Sequence, residues 1–402
     1  MSVVYLHDDA RARRFEPFAL TRPAGEMRAG ALLVRERWSR ALGMPVAGHL
    51  TSAHLAGFEE IGTPPVVDSG VVPAGAWLAE SRFLPTLAPL PKGDVLVHDG
   101  RVIAVRLRRE MVFSELAGGP VQLERLASRE AERAEVKDGW WADEVWDYVR
   151  HLVPMLEHDL PILGRAMRAE LPPGSIRVGE HPVFVEQGAI VEPSVCFDTT
   201  AGPILLRAGS HALSFTRLVG PLYVGEGSTV TSDRIAASSI GDTCKVHGEL
   251  SNTIFLGHAN KGHEGFVGHS MIGRWVNLGA GTTTSNLKNT YGTVQLWTPD
   301  GVRDTGMQFL GTLFGDHAKT GIGLRLTTGT VLGAGANVYG SEMPPKAVSP
   351  FAWGEAGDFA AYRAEKFIEV AERMMARRHV TLVDGMRTQL LAAYETRWQV
   401  ES

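Results

Sequence analysis

Cysteine is almost missing from this chain: Cys196 and Cys244 are the only two among 402 residues. Two thiols cannot make a disulfide framework, so burial and hydrogen bonding must hold the fold. Long apolar runs are missing too, and none approaches the roughly 20 residues a helix needs to cross a bilayer. Neither sign of charge dominates. A formal net charge of -5, with charged residues at 21%, gives no general pull toward nucleic acid or an anionic membrane surface, and neither is expected as a partner. The opening residues MSVVYLHDDARARR lack the positive-then-apolar order of a signal peptide, so a cytoplasmic protein is the expectation. Hydrophobic residues make up 44% of a chain long enough for two domains.

Glycine, by contrast, is abundant at 45 residues, and much of it falls at one phase of a six-residue repeat. Val178, Phe184, Ile190 and Cys196 form one apolar series, and Leu218, Val224 and Val230 a second. Ile272 and Leu278 form a third, and Phe314, Thr320, Leu326, Leu332 and Val338 a fourth. Gly follows many of them, as in Val224-Gly225, Ile240-Gly241, Ile272-Gly273 and Leu332-Gly333. A period of six is neither helical nor that of a simple strand. It predicts a parallel β-helix in which each hexapeptide makes a short strand and a corner, the apolar residue pointing inward and Gly sparing the corner a Cβ clash. The phase slips at Phe266-Val267-Gly268, beside His263.

Four segments are expected: an α/β domain over 1–140, a helical connector over 141–172, the β-helix over 173–348 and C-terminal helices over 349–402. In the first, a strand is predicted at 3–6, a helix at 32–38, and a hairpin of 95–97 with 102–105. The connector carries Trp140, Trp141 and Trp146, which are costly to leave in water and are expected to cover an end of the β-helix or a domain interface. After Asn286, two short apolar stretches flank Pro299-Asp300-Gly301, predicting a hairpin that leaves the prism. Asp358 is expected to cap a helix running to about 378, with a second helix near 383–397.

The segment FALTRPAGEMRAG over 18–30 resembles the opening of the sugar-nucleotidyltransferase-like domains that precede β-helices in sugar-1-phosphate nucleotidylyltransferases. Such a domain implies a basic loop after the first strand to cradle phosphates and carboxylates for Mg²⁺. Arg13, Arg14 and Arg22 are the phosphate candidates, and Asp8 or Asp9 the metal candidates. The loop has no glycine, and a solvated charged loop accounts for it equally well.

The run KGHEGF…GRWVNLGAGTTTSNLKNTYG over 261–292 resembles the acetyltransferase domain of GlmU-like enzymes, in the hexapeptide-repeat superfamily, and the branch assigned as sugar nucleotidyltransferases. The resemblance implies a left-handed β-helix, acetyl-CoA or another acyl-CoA as co-substrate, a sugar phosphate or nucleotide sugar as acceptor, and homotrimers with the site between adjacent prisms. It makes His263 the general base, Asn286 the residue that positions the amine and Asn277 a sugar contact. It places the oxyanion on the Leu287 backbone N–H and the CoA path along Ala280, Ile322 and Ala334. Phe266 and Leu287 stand where the family has tyrosines, and Gly292 where it has a phosphate-contacting lysine, which Lys261, Arg274 or Lys288 would replace. Acyl transfer needs those parts: a base near neutrality, donors for the oxyanion and a flat groove.

Three alternatives stay open. Asn277 and Asn286 could be asparagine stacks bonding the corners of the coil. His258 and His263, with His247 and His269 nearby, could hold zinc as in γ-class carbonic anhydrases, given a third ligand. The whole chain could also be a non-catalytic sugar-nucleotide-binding regulatory or scaffold subunit.

Overall fold

The computed structural model describes residues 2–117, 123–128, 130–167, 171–231 and 233–400. They form two compact units, 1–147 with 382–396, and 148–381 with 397–402. The C-terminal helices therefore do not act as one segment: Ala364–Ala376 belongs to the second unit and Asp384–Thr396 to the first.

The first unit is α/β, as expected. Its six-stranded sheet runs β7-β5-β6-β3-β1-β2, with β1 Val4–His7, β2 Val46–Leu50, β3 Trp77–Glu80, β5 Val95–His98, β6 Arg101–Arg106 and β7 Arg133–Glu135. β1 lies inside the sheet, parallel to both neighbours and largely buried, which suits its VYLH sequence. The expected hairpin is β5 with β6. The helix expected from residue 32 begins at Val34, because Leu32–Leu33 pairs with Arg28–Ala29. There the Glu36 carboxylate accepts the Leu33 N–H at 2.8 Å, and Gly43 ends the helix at φ 66°. Trp140 and Trp141 lie in β8, Gly139–Trp141, antiparallel to β4, Phe83–Pro85. Trp141 packs edge-on against Phe83 and under Arg101, and Trp140 packs under Arg37. Two of the three rings expected to cover an end of the coil or a domain interface thus pack against residues of this unit.

The second unit is a parallel β-helix. Three stacked faces hold nine, ten and six strands, the last continued by a further pair. One inward ladder reads Val224, Ile240, Phe255, Ile272, Phe314, Leu332 and Val348, all buried. The glycines after these residues are required by close approach of the next coil: a methyl on Gly273 would sit 2.6 Å from Asp316 Oδ1.

The second, third and fourth apolar series face inward as predicted. The first does not. Along it the inward positions are Val183, Val191 and Phe197, while Val178 and Ile190 point out and are 46% and 55% exposed. Phe184 also points out, under Gly164 of a helix at Leu152–Gly164. A one-residue shift reverses every side chain, and these strands carry apolar residues at both phases.

The predicted hairpin leaves the prism as Gln295–Thr298 and Gly301–Asp304. Asp358 is not a helix cap: it starts the return strand Asp358–Ala361, paired with Ala352–Glu355, and the helix begins only at Ala364.

Candidate functional site

The coil around His263 is built from β9 Asn260–Lys261, β10 Val267–Gly268, β11 Met271–Ile272, β12 Asn277–Leu278 and β13 Thr283–Thr284. His263 lies in the turn from β9 to β10 and is exposed. No hydrogen bond reaches its ring among the described residues, and its carbonyl accepts Lys261 Nζ at 2.8 Å. Lys261 is buried, and Nζ also donates to the His247 carbonyl at 2.7 Å. Burial pushes its ammonium down to about 8. The structure thus spends Lys261 on the corner beneath His263, and its amine does not face a substrate.

Asn277 and Asn286 lie on different parts of the coil. Asn277 points outward from β12, and its Oδ1 accepts Asn260 Nδ2 at 2.7 Å. Asn286 follows β13, with Nδ2 2.9 Å from His269 Nδ1. An amide nitrogen can only donate, so Nδ1 accepts and the His269 proton sits on Nε2. Burial lowers His269 to about 4, which keeps the ring neutral for that role, and it stacks on Phe309 with centroids 5.3 Å apart. The Asn stack anticipated for Asn277 is therefore present, whereas Asn286 is held by an imidazole.

The pair also packs tightly against the backbone, since a methyl on Gly268 would lie 2.8 Å from both Asn286 Nδ2 and Phe266 Cε1. Phe266 thus lies beside Asn286 over Gly268. Leu287 bridges to Phe309, and Lys288 donates to the Thr293 carbonyl at 2.9 Å. Arg274 Nη2 lies 3.0 Å from His258 Nδ1, and its N–H donates to Asp316 Oδ1 at 2.7 Å.

Over Asn260 and Asn277 lies a pocket of about 190 Å³, lined also by Lys245, His258, Trp275, Arg377 and Arg378. Arg378 donates to the Thr243 carbonyl at 3.1 Å. His269, Lys245, Arg377 and Arg378 were not identified as site residues from sequence. The signal for His269 was there: Asn260 to Asn277 and His269 to Asn286 are each 17 residues apart, one turn of the coil.

Along the expected CoA path, Gly279-Ala280-Gly281 lies against Gly321 and Gly323, a ledge almost free of side chains, and Ile322 is 79% exposed. These fit a flat pantetheine arm. Ala334 is wholly buried, so its methyl is not part of such a path.

Zinc finds no support. His258 packs at a tilt against Trp275, ring centroids 4.4 Å apart, and meets Arg274, and no group of three His, Cys, Asp or Glu gathers among the described residues.

In the first unit, Arg22 is not a free phosphate contact. It is buried in an ion pair with Glu60 at 3.0 Å. Arg13 Nε donates to the Asp8 carbonyl at 2.8 Å, leaving Nη2 buried and without a partner among the described residues, while Arg14 is exposed. Asp8 Oδ2 accepts Thr51 Oγ1 at 2.6 Å and the Ala24 N–H at 3.1 Å. Asp9 meets Arg82 through both oxygens, at 2.9 Å to Nε and 2.6 Å to Nη2. Asp143 accepts Arg82 Nη1 at 2.8 Å and Arg101 Nη1 at 3.1 Å. The carboxylates suggested for Mg²⁺ are committed elsewhere, and the residues here do not fit a bound divalent ion.

Residues 4–166 match the family model for sugar nucleotidyl transferase. A bifunctional sugar-1-phosphate nucleotidylyltransferase/acetyltransferase of Sulfurisphaera tokodaii is 31% identical over 91 residues, 23% of either chain. The bifunctional protein GlmU of Buchnera aphidicola is 24% identical over 181 residues, 44% of this chain and 35% of that one. The chain thus spans about a quarter to a third of the length of these curated relatives. A solved candidate acetyltransferase of Bacillus cereus is 13% identical and covers 54% of this chain and 99% of its own, with a TM-score of 0.23, too low to carry an argument.

Proposed function

We propose that the chain transfers an acyl group from a CoA thioester to the amine of an amino-sugar phosphate or nucleotide sugar, while its first unit binds a sugar nucleotide. The observation that carries this reading is the exposed, unbonded ring of His263, with Asn277 and Asn286 presented by the next turn of the same coil.

The roles combine those implied by the resemblance with the contacts of Asn286. The His263 ring takes the proton as the amine attacks the thioester carbonyl. His269 fixes the Asn286 amide by its nitrogen, which leaves Oδ1 to accept from the incoming amine. The Leu287 N–H is the donor for the developing oxyanion. Acyl-CoA supplies the activated acyl group, and Gly279-Ala280-Gly281 with Ile322 is the ledge for its arm. The acceptor's phosphate is assigned to the pocket of Lys245, Arg377 and Arg378 over Asn277, with Arg274 adjacent through His258.

The resemblance implies a homotrimer with the site completed by an adjacent copy, and the placement of His263 after β9, Asn277 in β12 and Asn286 after β13 is compatible with that. No described helix is long and apolar enough to cross a membrane, which is compatible with a cytoplasmic setting.

One test decides the reading. Thiol release from acetyl-CoA is followed with a panel of amino-sugar phosphates, for wild type and His263→Ala. Wild type is expected to turn over at least one acceptor and the variant to lose about 10²-fold or more; undiminished turnover in the variant removes His263 from the mechanism.

A second reading, a sugar-nucleotide-binding subunit without turnover, is favoured by the commitment of Asp9 to Arg82. Tight sugar-nucleotide binding with no CoA binding would select it.

A further inference from the structure

We infer that Arg82 is the resident cation at the acidic end of the first unit, and that this unit binds the diphosphate of a sugar nucleotide without a divalent metal. The second half rests on the reading of residues 4–166 as a sugar-nucleotide-binding domain; the first half does not.

The acidic end lies where β1 and β3 finish and β8 runs past, and it holds Asp8, Asp9, Glu80 and Asp143. A divalent cation there would need several of these oxygens in one shell. Each is already engaged. Asp9 takes two guanidinium bonds from Arg82, and its Oδ1 also accepts the Arg11 and Ala12 N–H groups. Asp143 accepts from Arg82, Arg101 and Arg11. Asp8 Oδ2 is taken by Thr51 and Ala24, leaving one buried oxygen. Glu80 is buried 3.7 Å from Arg82 Nε and also accepts the Arg82 backbone N–H at 3.4 Å.

Arg82 cannot easily yield its place. Its side chain is 7% exposed, its guanidinium lies 5.5 Å from the Trp141 ring, and Nη1 also reaches the Ala142 carbonyl. Displacing it for a metal would leave a buried cation without its partners, one of the costlier changes a fold can suffer.

Several polar groups at this end are nevertheless left without a protein partner. Both ring nitrogens of His7, Asp8 Oδ1, Arg13 Nη2 and Ser81 Oγ are buried without hydrogen-bond partners among the described residues. Such groups are rare in folded proteins, and together they mark where a ligand's polar atoms would be satisfied. Burial lowers His7 to about 4, so its ring is neutral and offers one donor and one acceptor, while Arg13 adds a permanent charge for a phosphate.

The full chain is titrated with Mn²⁺ alone, followed by the loss of the free-ion electron paramagnetic resonance signal. No stoichiometric binding is expected, and binding that Asp9→Asn leaves unchanged puts the ion elsewhere and also agrees. Stoichiometric binding that Asp9→Asn abolishes overturns the inference. UDP-N-acetylglucosamine is then titrated calorimetrically in EDTA and in Mg²⁺, where the two Kd values are expected to agree within about two-fold. Tightening by about tenfold or more in Mg²⁺ overturns the metal-free half. Absence of binding in both buffers removes the ligand half together with the domain reading, while the Mn²⁺ result still decides the role of Arg82.

Discussion

The contact that holds Asn286 in the acyl-transfer reading is a single hydrogen bond, Asn286 Nδ2 to His269 Nδ1. It needs a neutral imidazole, and burial supplies one. His269→Leu keeps the bulk against Phe309 but frees the amide to rotate. Loss of one positioned bond of this kind is expected to lower kcat about tenfold with KM for the acyl donor unchanged, and His269→Gln, which can still accept, should recover part of it. Steady-state kinetics with acceptor and donor varied separately would show this; equal losses in all parameters would make the pair merely structural. Gly268→Ala should have the same signature, because its methyl would press on both Asn286 and Phe266. At this scale the sequence was legible where a motif spans consecutive residues. His263, Asn277 and Asn286 could be singled out, whereas Lys261 read as a substrate contact because sequence does not show that its amine turns inward to two carbonyls.

Among elements, the period of the coil could be read and its phase could not. Six-residue spacing identified the β-helix and most of its inward ladder, but Ile190-Val191 and Val183-Phe184-Val185 offer apolar side chains to both faces. Only stacking on Ala212, Ile204 and Leu206 chooses which of them turns in. The consequence can be measured. Ile272 sits between Phe255 and Phe314 on the inward ladder, so Ile272→Ala should cost about 2–5 kcal/mol, seen as a lower thermal midpoint. Ile190→Ala, on an outward and exposed side chain, should stay within about 0.5 kcal/mol. Equal losses at the two positions would mean that the register is wrong. The misplaced start of the C-terminal helix has a similar cause. Asp358 is a good cap by local chemistry, but pairing of Ala352–Glu355 with Asp358–Ala361 uses that stretch as a strand, and long-range pairing overrides a local preference worth about 1 kcal/mol.

At the scale of the molecule the two units carry opposite pH responses, and both come from burial, which is why composition could not reveal them. In the first unit Glu80 is raised to about 8 from an ordinary 4.5, so between those values the folded chain keeps a proton that the unfolded chain has lost. Stability contributed there falls as pH rises. His7, lowered to about 4 from 6.5, acts in the other direction, but only below pH 6.5, as does His269 in the second unit. In the second unit Lys261 and Lys319 are lowered to about 8 from 10.5, so above pH 8 it is the unfolded chain that holds more protons, and stability rises with pH. The thermal midpoint is therefore expected to fall from pH 6.5 to 8 and to recover from 8 toward 10. Glu80→Gln should remove the fall and leave the recovery, while Lys261→Met with Lys319→Met should remove the recovery and leave the fall. A wild-type midpoint that rises between pH 6.5 and 8, or a Glu80→Gln profile parallel to wild type, would show that Glu80 does not hold its proton.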